Sequence, residues 1–416
     1  MTKATPALLA LLLVLSLPAM TGVAAVPAGE TADGANAGLQ QDVAEPVQPT
    51  IVTRPMQAEV ANTTNRLQVT GEVRSEYTAY RSDLGLALAN ADSELRVDQD
   101  QYAIVDHEFA SATADERAAM IQAAYDRLRQ RAATLEQRES QAVRAHAAGD
   151  LSTAQLLQTL LRNYNEAGVL VEQLNYLKDR AVQVPGYSLS SVRTTKKIFE
   201  SHRTAPRTRL SGLATAPSNQ LHVEIAVSTS QTGYSLSLIE GDQYLVETTR
   251  FDNRDQTAPD QFEDREAFDH TLQLYPWTEE HGKPYFQDNS PDHYWTEFVH
   301  DQGRTEVYLD AGTGEVYREV QELSAPSLPA TKLGPGWNDD DDEFEMTMNR
   351  TPAVGPIEIT VTENATGEPV DATITLDGVE VGQTGADGRL WVVPLYGSHE
   401  LEAKTATGNI TATVTR

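Results

Sequence analysis

The stretch DLSTAQLLQTLLRNYNEAGVLVEQLNYLKDRAVQVPG, residues 150–186, decides how the first half of the chain folds. Within it Leu156, Leu160, Asn163, Ala167, Leu170, Leu174, Leu177, Ala181 and Val184 recur at alternating spacings of four and three. Those steps keep one row of side chains on a single flank of an α-helix, which makes a heptad seam about four heptads long. Pro185-Gly186 stops it. At 1.5 Å per residue the helix is about 45–50 Å long. Upstream, Gly149 ends a preceding helix and Asp150 and Ser152 supply N-cap chemistry for the next. In residues 114–147, Ile121, Tyr125, Leu128, Ala132, Leu135 and Ala142 share one face. Two long helices joined by so short a break predict an antiparallel αα-hairpin. A further helix around residues 72–91 is expected alongside. Asn163 lies on the seam, where a polar group sets register. With a partner helix so close in sequence, an intramolecular bundle is preferred over a dimerisation coiled coil.

Downstream, residues 190–209 form the one basic island: Arg193, Lys196, Lys197, Arg203, Arg207 and Arg209. Such a run can meet an anionic polymer or docks onto acidic neighbours as a connector, and its Pro206 break favours the connector. After Pro217 the period changes to two. Leu221, Val223, Ile225 and Val227 alternate with polar residues, as do Tyr234, Leu236 and Leu238 after Gly233. Residues 244–249 continue the pattern, a short helix is expected near 260–274, and strands return at 294–300, 305–310 and 315–320. The consecutive carboxylates Asp339-Asp340-Asp341-Asp342-Glu343 lack the spaced ligands and turn glycine of a calcium loop and read as a solvated linker.

In the C-terminal stretch short strands recur between glycine turns: Ile357, Ile359 and Val361, then 373–376, 389–393, 399–403 and 409–414. That rhythm predicts a small β-sandwich. The expected fold class is therefore a multidomain α + β chain, with an N-terminal long-helix hairpin or bundle, a central α+β antiparallel-sheet domain and a C-terminal small β-sandwich. The expected segments are a signal peptide (1–25), a disordered spacer (26–55), the helical bundle (56–189) and the basic connector (190–217). The sheet domain (218–325), the acidic linker (326–352) and the sandwich (353–416) complete the chain.

Two runs carry resemblances. Thr366 to Leu376 and Gln383 to Leu390 resemble the two halves of a carboxypeptidase regulatory-like domain. That implies a transthyretin-like sandwich acting as a spacer or accessory binding module, without catalytic residues. Its usual Pro-Gly-x-Tyr segment is replaced here by Tyr396-Gly397-Ser398-His399. Val307 to Val316 is similar, over ten residues, to the strand–turn–strand signature of PepSY-type envelope domains. That likeness implies a non-catalytic part in peptidase regulation or envelope sensing, and no site is transferred from it.

Composition sets the surroundings. Asp and Glu number 61 against 32 Lys and Arg, for a net charge of −29. Only seven of the cations are lysines. Carboxylates hold water tightly, and at 1 M salt the Debye length of about 3 Å screens their mutual repulsion. The balance suits brine, and the chain as a whole resembles multidomain surface proteins exported by haloarchaea. Lys3, the apolar run 7–17 and Val23-Ala24-Ala25 make a secretory signal too short to span a bilayer. No other run reaches spanning length, so no membrane span is expected in the mature chain. Zero cysteines exclude disulfides, thiol nucleophiles and thiolate metal sites. Asn62, Asn349, Asn364 and Asn409 head Asn-x-Thr glycosylation triplets.

No G-x-S-x-G, H-E-x-x-H, P-loop or S-x-x-K motif occurs. Accordingly no catalytic, cofactor-binding or metal residue is expected, and no cofactor. One regional cluster stands out: His270, Trp277, His281, Tyr285, His293 and Trp295, which either line a sugar or peptide groove or fill a sheet's core. The expected function is a non-enzymatic, exported cell-envelope interaction or structural protein whose partner is an envelope protein or glycan and not a nucleic acid. The first alternative is a sensing or regulatory module gripping a peptide or an exported enzyme through residues 218–325. The second is a divergent secreted hydrolase.

Overall fold

The computed structural model describes residues 62–80, 84–214, 223–263, 265–287, 292–339, 341 and 343–415. The expected signal peptide and spacer lie outside them. Helix α2 (Ala114–Ala148) opens on a capping box between Thr113 and Glu116 and ends at Gly149, whose φ of 85° is the left-handed turn a Cβ disfavours. Helix α3 (Thr153–Val182) opens on a second capping box between Ser152 and Gln155. The two form the expected hairpin. Leu156, Leu160, Ala167, Leu170, Leu174 and Leu177 are all within 1 % of complete burial. Asn163 is buried among them and satisfied, its Nδ2 donating to the Leu135 carbonyl of α2 at 2.8 Å and its Oδ1 accepting from Arg138 at 3.0 Å. Its register role is thus played inside the chain.

The helix expected over 72–91 is instead a strand followed by a helix. Strand β1 (Arg74–Tyr80) alternates its faces, and α1 (Leu84–Gln101) then packs against α3. The reason is local: Tyr77, Thr78 and Tyr80 favour a pleated surface and hydrogen-bond antiparallel to β2 (Val223–Thr229) in full register, Arg74 opposite Thr229 to Tyr80 opposite Val223. The basic connector has helical structure of its own, and Arg207 and Arg209 pair with glutamates of neighbouring elements. It forms α4 (Val192–Glu200) and α5 (Ala205–Ala214), with Pro206 in the first turn, where a missing N–H costs nothing.

The central sheet continues through β3 (Gly233–Glu240), β4 (Gln243–Arg250), β5 (Gly282–Gln287), β6 (His293–His300), β7 (Gly303–Asp310) and β8 (Val316–Ser324). All pairs are antiparallel in the order β1-β2-β3-β4-β8-β7-β6-β5. One face of β2–β4 carries Ile225, Val227, Leu236, Leu238 and Leu245 into a core shared with Leu156, Leu157, Leu160 and Leu161 of α3. The opposite face of β6–β7 is covered by α6 (Glu266–Leu274) and α7 (Pro276–His281).

The expected acidic linker carries three strands. Strands β9 (Thr331–Lys332), β10 (Trp337–Asn338) and β11 (Phe344–Arg350) belong to the C-terminal sandwich, and Met346 and Met348 of β11 are fully buried. Of the carboxylate run, Asp341 and Glu343 are exposed, while Asp339 is buried and accepts the Phe344 amide at 2.9 Å. Strands β12 (Ile357–Glu363) and β15 (Arg389–Val392) complete that sheet, while β13 (Thr373–Leu376), β14 (Val379–Gln383), β16 (Ser398–Lys404) and β17 (Asn409–Thr415) form the second. The sandwich core is continuous with Ala226, Tyr244, Val246 and Leu323 of the central sheet.

Residues 62–70 run as a strap through this junction. Arg66 lies over the Tyr244 ring, donates to Gln321 at 2.9 Å, and reaches the Pro352 and Ala353 carbonyls. Ala353 and Val354 both hold positive φ, an expensive conformation for a β-branched residue, and the strap's hydrogen bonds from Arg66 and Gln68 hold that loop. Beneath it Glu319 accepts from the Leu67 amide at 3.0 Å, from Gln321 at 2.8 Å and from the Tyr275 hydroxyl.

Burial raises the Glu319 carboxyl from 4.5 to about 7, although Tyr275 and the Leu67 amide pull the other way. Between those values the folded chain keeps a proton that the unfolded chain has shed, so stability falls as pH rises through that window and levels off above it. Glu319→Gln mimics the protonated form. Urea unfolding at fixed molar salt should show a flatter pH profile for this variant and a stability near pH 8 about 3 kcal/mol above wild type. Parallel profiles would show that Glu319 is ionised throughout.

Candidate functional site

Glu139 stands at a position that the apolar face of α2 assigns to a core residue, between Leu135 and Ala142, and it is completely buried. Its Oε1 accepts from Arg318 of β8 at 2.5 Å and from the Tyr234 hydroxyl of β3 at 2.9 Å. Its Oε2 meets Arg207 of α5 at 2.9 Å and His202 Nδ1 at 3.3 Å. Arg207 also pairs with Glu247 of β4, Nη2 to Oε1 at 2.7 Å and Nε to Oε2 at 3.2 Å. Arg318 further donates to Thr249 Oγ1 at 3.1 Å and to the Ser201 carbonyl. Two carboxylates thus face two guanidiniums, and the charge balances without His202. Burial pushes the Glu139 carboxyl up, but Arg207, Arg318 and the His202 hydrogen bond overcome it and hold it well below the usual range. Burial also lowers His202, more than its bond to Glu139 restores, and keeps the imidazole neutral.

Above this cluster opens a cleft of about 520 Å³ between α2, α4 and the sheet. Ala132, Ala133, Ile198 and Phe199 supply its apolar walls, and Arg318, His202 and Tyr317 its floor. The His202 Nε2 faces this space without a hydrogen-bond partner among the described residues. With Nδ1–H donating to Glu139, that nitrogen is an acceptor. A second fixed cation closes one side. Arg254 lies 4.3 Å over the Tyr317 ring and bonds Asp292 at 2.9 Å, Asp310 at 3.0 Å and Glu136 at 3.3 Å. Asp310 in turn accepts the Thr313 amide at 2.8 Å, so the tight turn singled out in the sequence is what anchors Arg254. Burial raises the Tyr317 hydroxyl to about 12, with Arg254 and Arg318 opposing.

The six residues of the expected groove divide between the two faces of the sheet. On the face covered by α6 and α7, His270 Nε2 meets the Gly314 carbonyl at 3.0 Å, and Trp277 stacks on His281 at 4.7 Å. On the other face Tyr285 meets Trp295 edge-on at 5.9 Å, and Lys197 sits 4.4 Å over the Trp295 ring. His293 alone of the six lines the cleft, its Nδ1 at 2.8 Å from Asp292 Oδ1. Period-two alternation separates them: His293 and Trp295 point one way along β6, while Tyr294 and Phe298 join the core on the other. Glu139, His202, Glu247 and Arg318 escaped the sequence reading, while Arg207 is named there only as one cation of the basic island that docks onto acidic neighbours. The available signal was placement, since Glu139 continues the four–three spacing of α2 and Glu247 and Arg318 interrupt the apolar face of their strands.

Comparison with known families follows the same division. A family model described as domain of unknown function (DUF7096) matches residues 1–219, more than half of the chain, and the chain belongs to that family. A family of unknown function (DUF7094) matches residues 225–329. An archaeal fibronectin-III type-like domain matches residues 338–412, where the sequence reading expected a carboxypeptidase regulatory-like sandwich. The two-sheet β-sandwich is common to both descriptions. No curated protein and no solved structure matches the chain. The buried cluster draws Glu139, His202 and Arg207 from the first match and Tyr234, Glu247 and Arg318 from the second.

Removing one partner of a buried ion pair leaves an uncompensated charge, at a cost of about 3–5 kcal/mol. Arg207→Met should lower unfolding stability by about that amount. Adding Glu247→Leu restores the balance and should recover a large part of the loss, as a double-mutant cycle measures. Additive losses would show that the charges do not act as one unit.

Proposed function

We propose that this member of the DUF7096 family is a non-enzymatic protein of the cell envelope of a halophilic archaeon, exported to the cell surface, where its cleft binds a small ligand. The observation that carries this reading is the state of the cleft's polar groups. Arg254, Arg318 and Glu136 are each held by fixed partners, while His202 Nε2, an acceptor on an imidazole that burial keeps neutral, has no hydrogen-bond partner among the described residues. Such a floor holds a hydrogen-bond donor on an apolar body, the arrangement of a recognition pocket. The acidic surface and the archaeal fibronectin-III type-like match support the habitat. The sandwich serves as the accessory contact module toward an envelope protein or glycan.

A divergent hydrolase is the second reading, favoured by one feature: His293 lies in the cleft beside Asp292 and near Glu136. Against it, both carboxylates already bind Arg254, which occupies their oxygens and fixes their position.

The full chain in molar potassium chloride should turn over none of a broad panel of ester, peptide and glycoside substrates. Thermal-shift screening with amino sugars, short peptides and peptide amides should find stabilising ligands. Ala133→Trp, which fills the cleft from an exposed position, should abolish those shifts, and His202→Leu should weaken them. Turnover lost in His293→Ala would establish the hydrolase reading. The habitat has its own check: circular dichroism should show a compact fold in molar salt that loosens in dilute buffer. Equal stability in both would overturn the brine reading.

A further inference from the structure

The four Asn-x-Thr triplets are treated by the fold in two opposite ways. The motif demands Ser or Thr in its third place, so the modifying enzyme must reach that hydroxyl as well as the asparagine amide. At Asn62 the third residue, Thr64, is 0 % exposed and its hydroxyl donates to the Asn65 carbonyl at 3.1 Å. Thr63, between them, is buried against Gln302 at 2.6 Å. At Asn349 on β11 the side-chain amide donates to Glu358 at 3.0 Å, and Thr351 is 2 % exposed with its hydroxyl on the Pro356 carbonyl at 2.8 Å. Asn62 itself is exposed, but in both triplets the threonine hydroxyl that the enzyme must reach is buried and bonded to a carbonyl.

The other two are open. Asn364, Ala365 and Thr366 form an exposed turn after β12, with the Thr366 hydroxyl at the surface beside Glu363 and the Glu368 amide. Asn409 and Thr411, at the start of β17, are both exposed, and neither side chain makes a hydrogen bond among the described residues. These two triplets share one end of the sandwich. The Asn364 backbone N–H donates to the Glu343 carbonyl at 2.8 Å, and a Cβ on Gly408 would lie 3.4 Å from the Phe344 ring, one residue away in the same turn. The other end holds Pro352, Ala353, Val393 and Tyr396, which bond to Arg66, Tyr77 and Ser75 of the strap and β1. The open triplets therefore mark the tip farthest from the central sheet.

We propose that Asn364 and Asn409 are the N-glycosylated residues of this chain and that Asn62 and Asn349 stay bare, so that the sandwich presents a sugar-clad tip. This rests on the exported reading of the protein. The donor is an oligosaccharide activated as a lipid-linked phosphate. The asparagine Nδ2 forms a bond to the sugar C1 while the C1–O bond to phosphate breaks. The lipid phosphate leaves with the electron pair and the amide gives up one proton, with no change of oxidation state.

The full chain, produced with its own leader in a halophilic archaeal host that N-glycosylates, is recovered from the medium and envelope and mapped by proteolysis and mass spectrometry. Sugar mass is expected on the peptides holding Asn364 and Asn409 and on neither of the others. Thr366→Val should strip Asn364 alone, and Asn364→Gln with Asn409→Gln should leave an exported, folded chain without sugar. Sugar on Asn62 or Asn349, or an exported chain bare at Asn364 and Asn409, overturns the assignment while leaving export intact. A chain kept inside the cell with its leader uncut overturns the exported reading and the assignment with it.

Discussion

Six side chains at the contact between helices and sheet govern how this protein is assembled. Glu139 comes from α2, His202 from the turn after α4, Arg207 from α5, Tyr234 from β3, Glu247 from β4 and Arg318 from β8. Each charge has been taken out of water at a cost of several kcal/mol, which only well-placed opposite charges return. Misplacing any of the contributing elements strands a charge. An apolar seam tolerates slippage, whereas a four-charge cluster with one arrangement does not. The helical bundle is thereby fixed on the sheet in one pose, and the cleft above it has a defined shape.

The same reasoning explains why the family boundaries do not fall at structural ones. The DUF7096 match ends at residue 219 and the next begins at 225, yet β1 and β2 pair over seven residues across that line. The strap adds a second tie. Arg66 bonds Gln321 of β8 and the carbonyls of the loop that enters β12, so three matched regions share one buried guanidinium. Helices, sheet and sandwich behave as one body because polar groups from each complete the others, and this rigidity is what a preformed pocket needs.

The parts of the fold legible in the sequence are those with a long period. The seam from Leu156 to Ala181 and the alternation from Ile225 to Leu238 each repeat often enough to outweigh local exceptions, and both stand in the structure as expected. Short or mixed signals were not legible. Arg74 to Tyr80 lies next to a helical pattern, and only pairing with β2, about 150 residues on by sequence number, makes it a strand. The run of carboxylates after Asn338 masked the alternation of Met346 and Met348 just beyond it. The cleft was less legible still. A background of 61 acidic residues makes any single carboxylate uninformative, so Glu139 is recognisable only by occupying an apolar position.

Salt gives that last point its physical weight. In molar salt exposed pairs such as Arg96–Asp92 are screened within about 3 Å and add little to stability. Ions do not enter the packed space around Glu139 and Arg207, so their attraction keeps its strength. On the proposed brine-adapted reading, specific electrostatics falls to the interior. Matched charge is thus concentrated beneath the cleft, while the excess of carboxylates belongs to the rest of the chain, and the buried cluster fixes the geometry of the cleft above it.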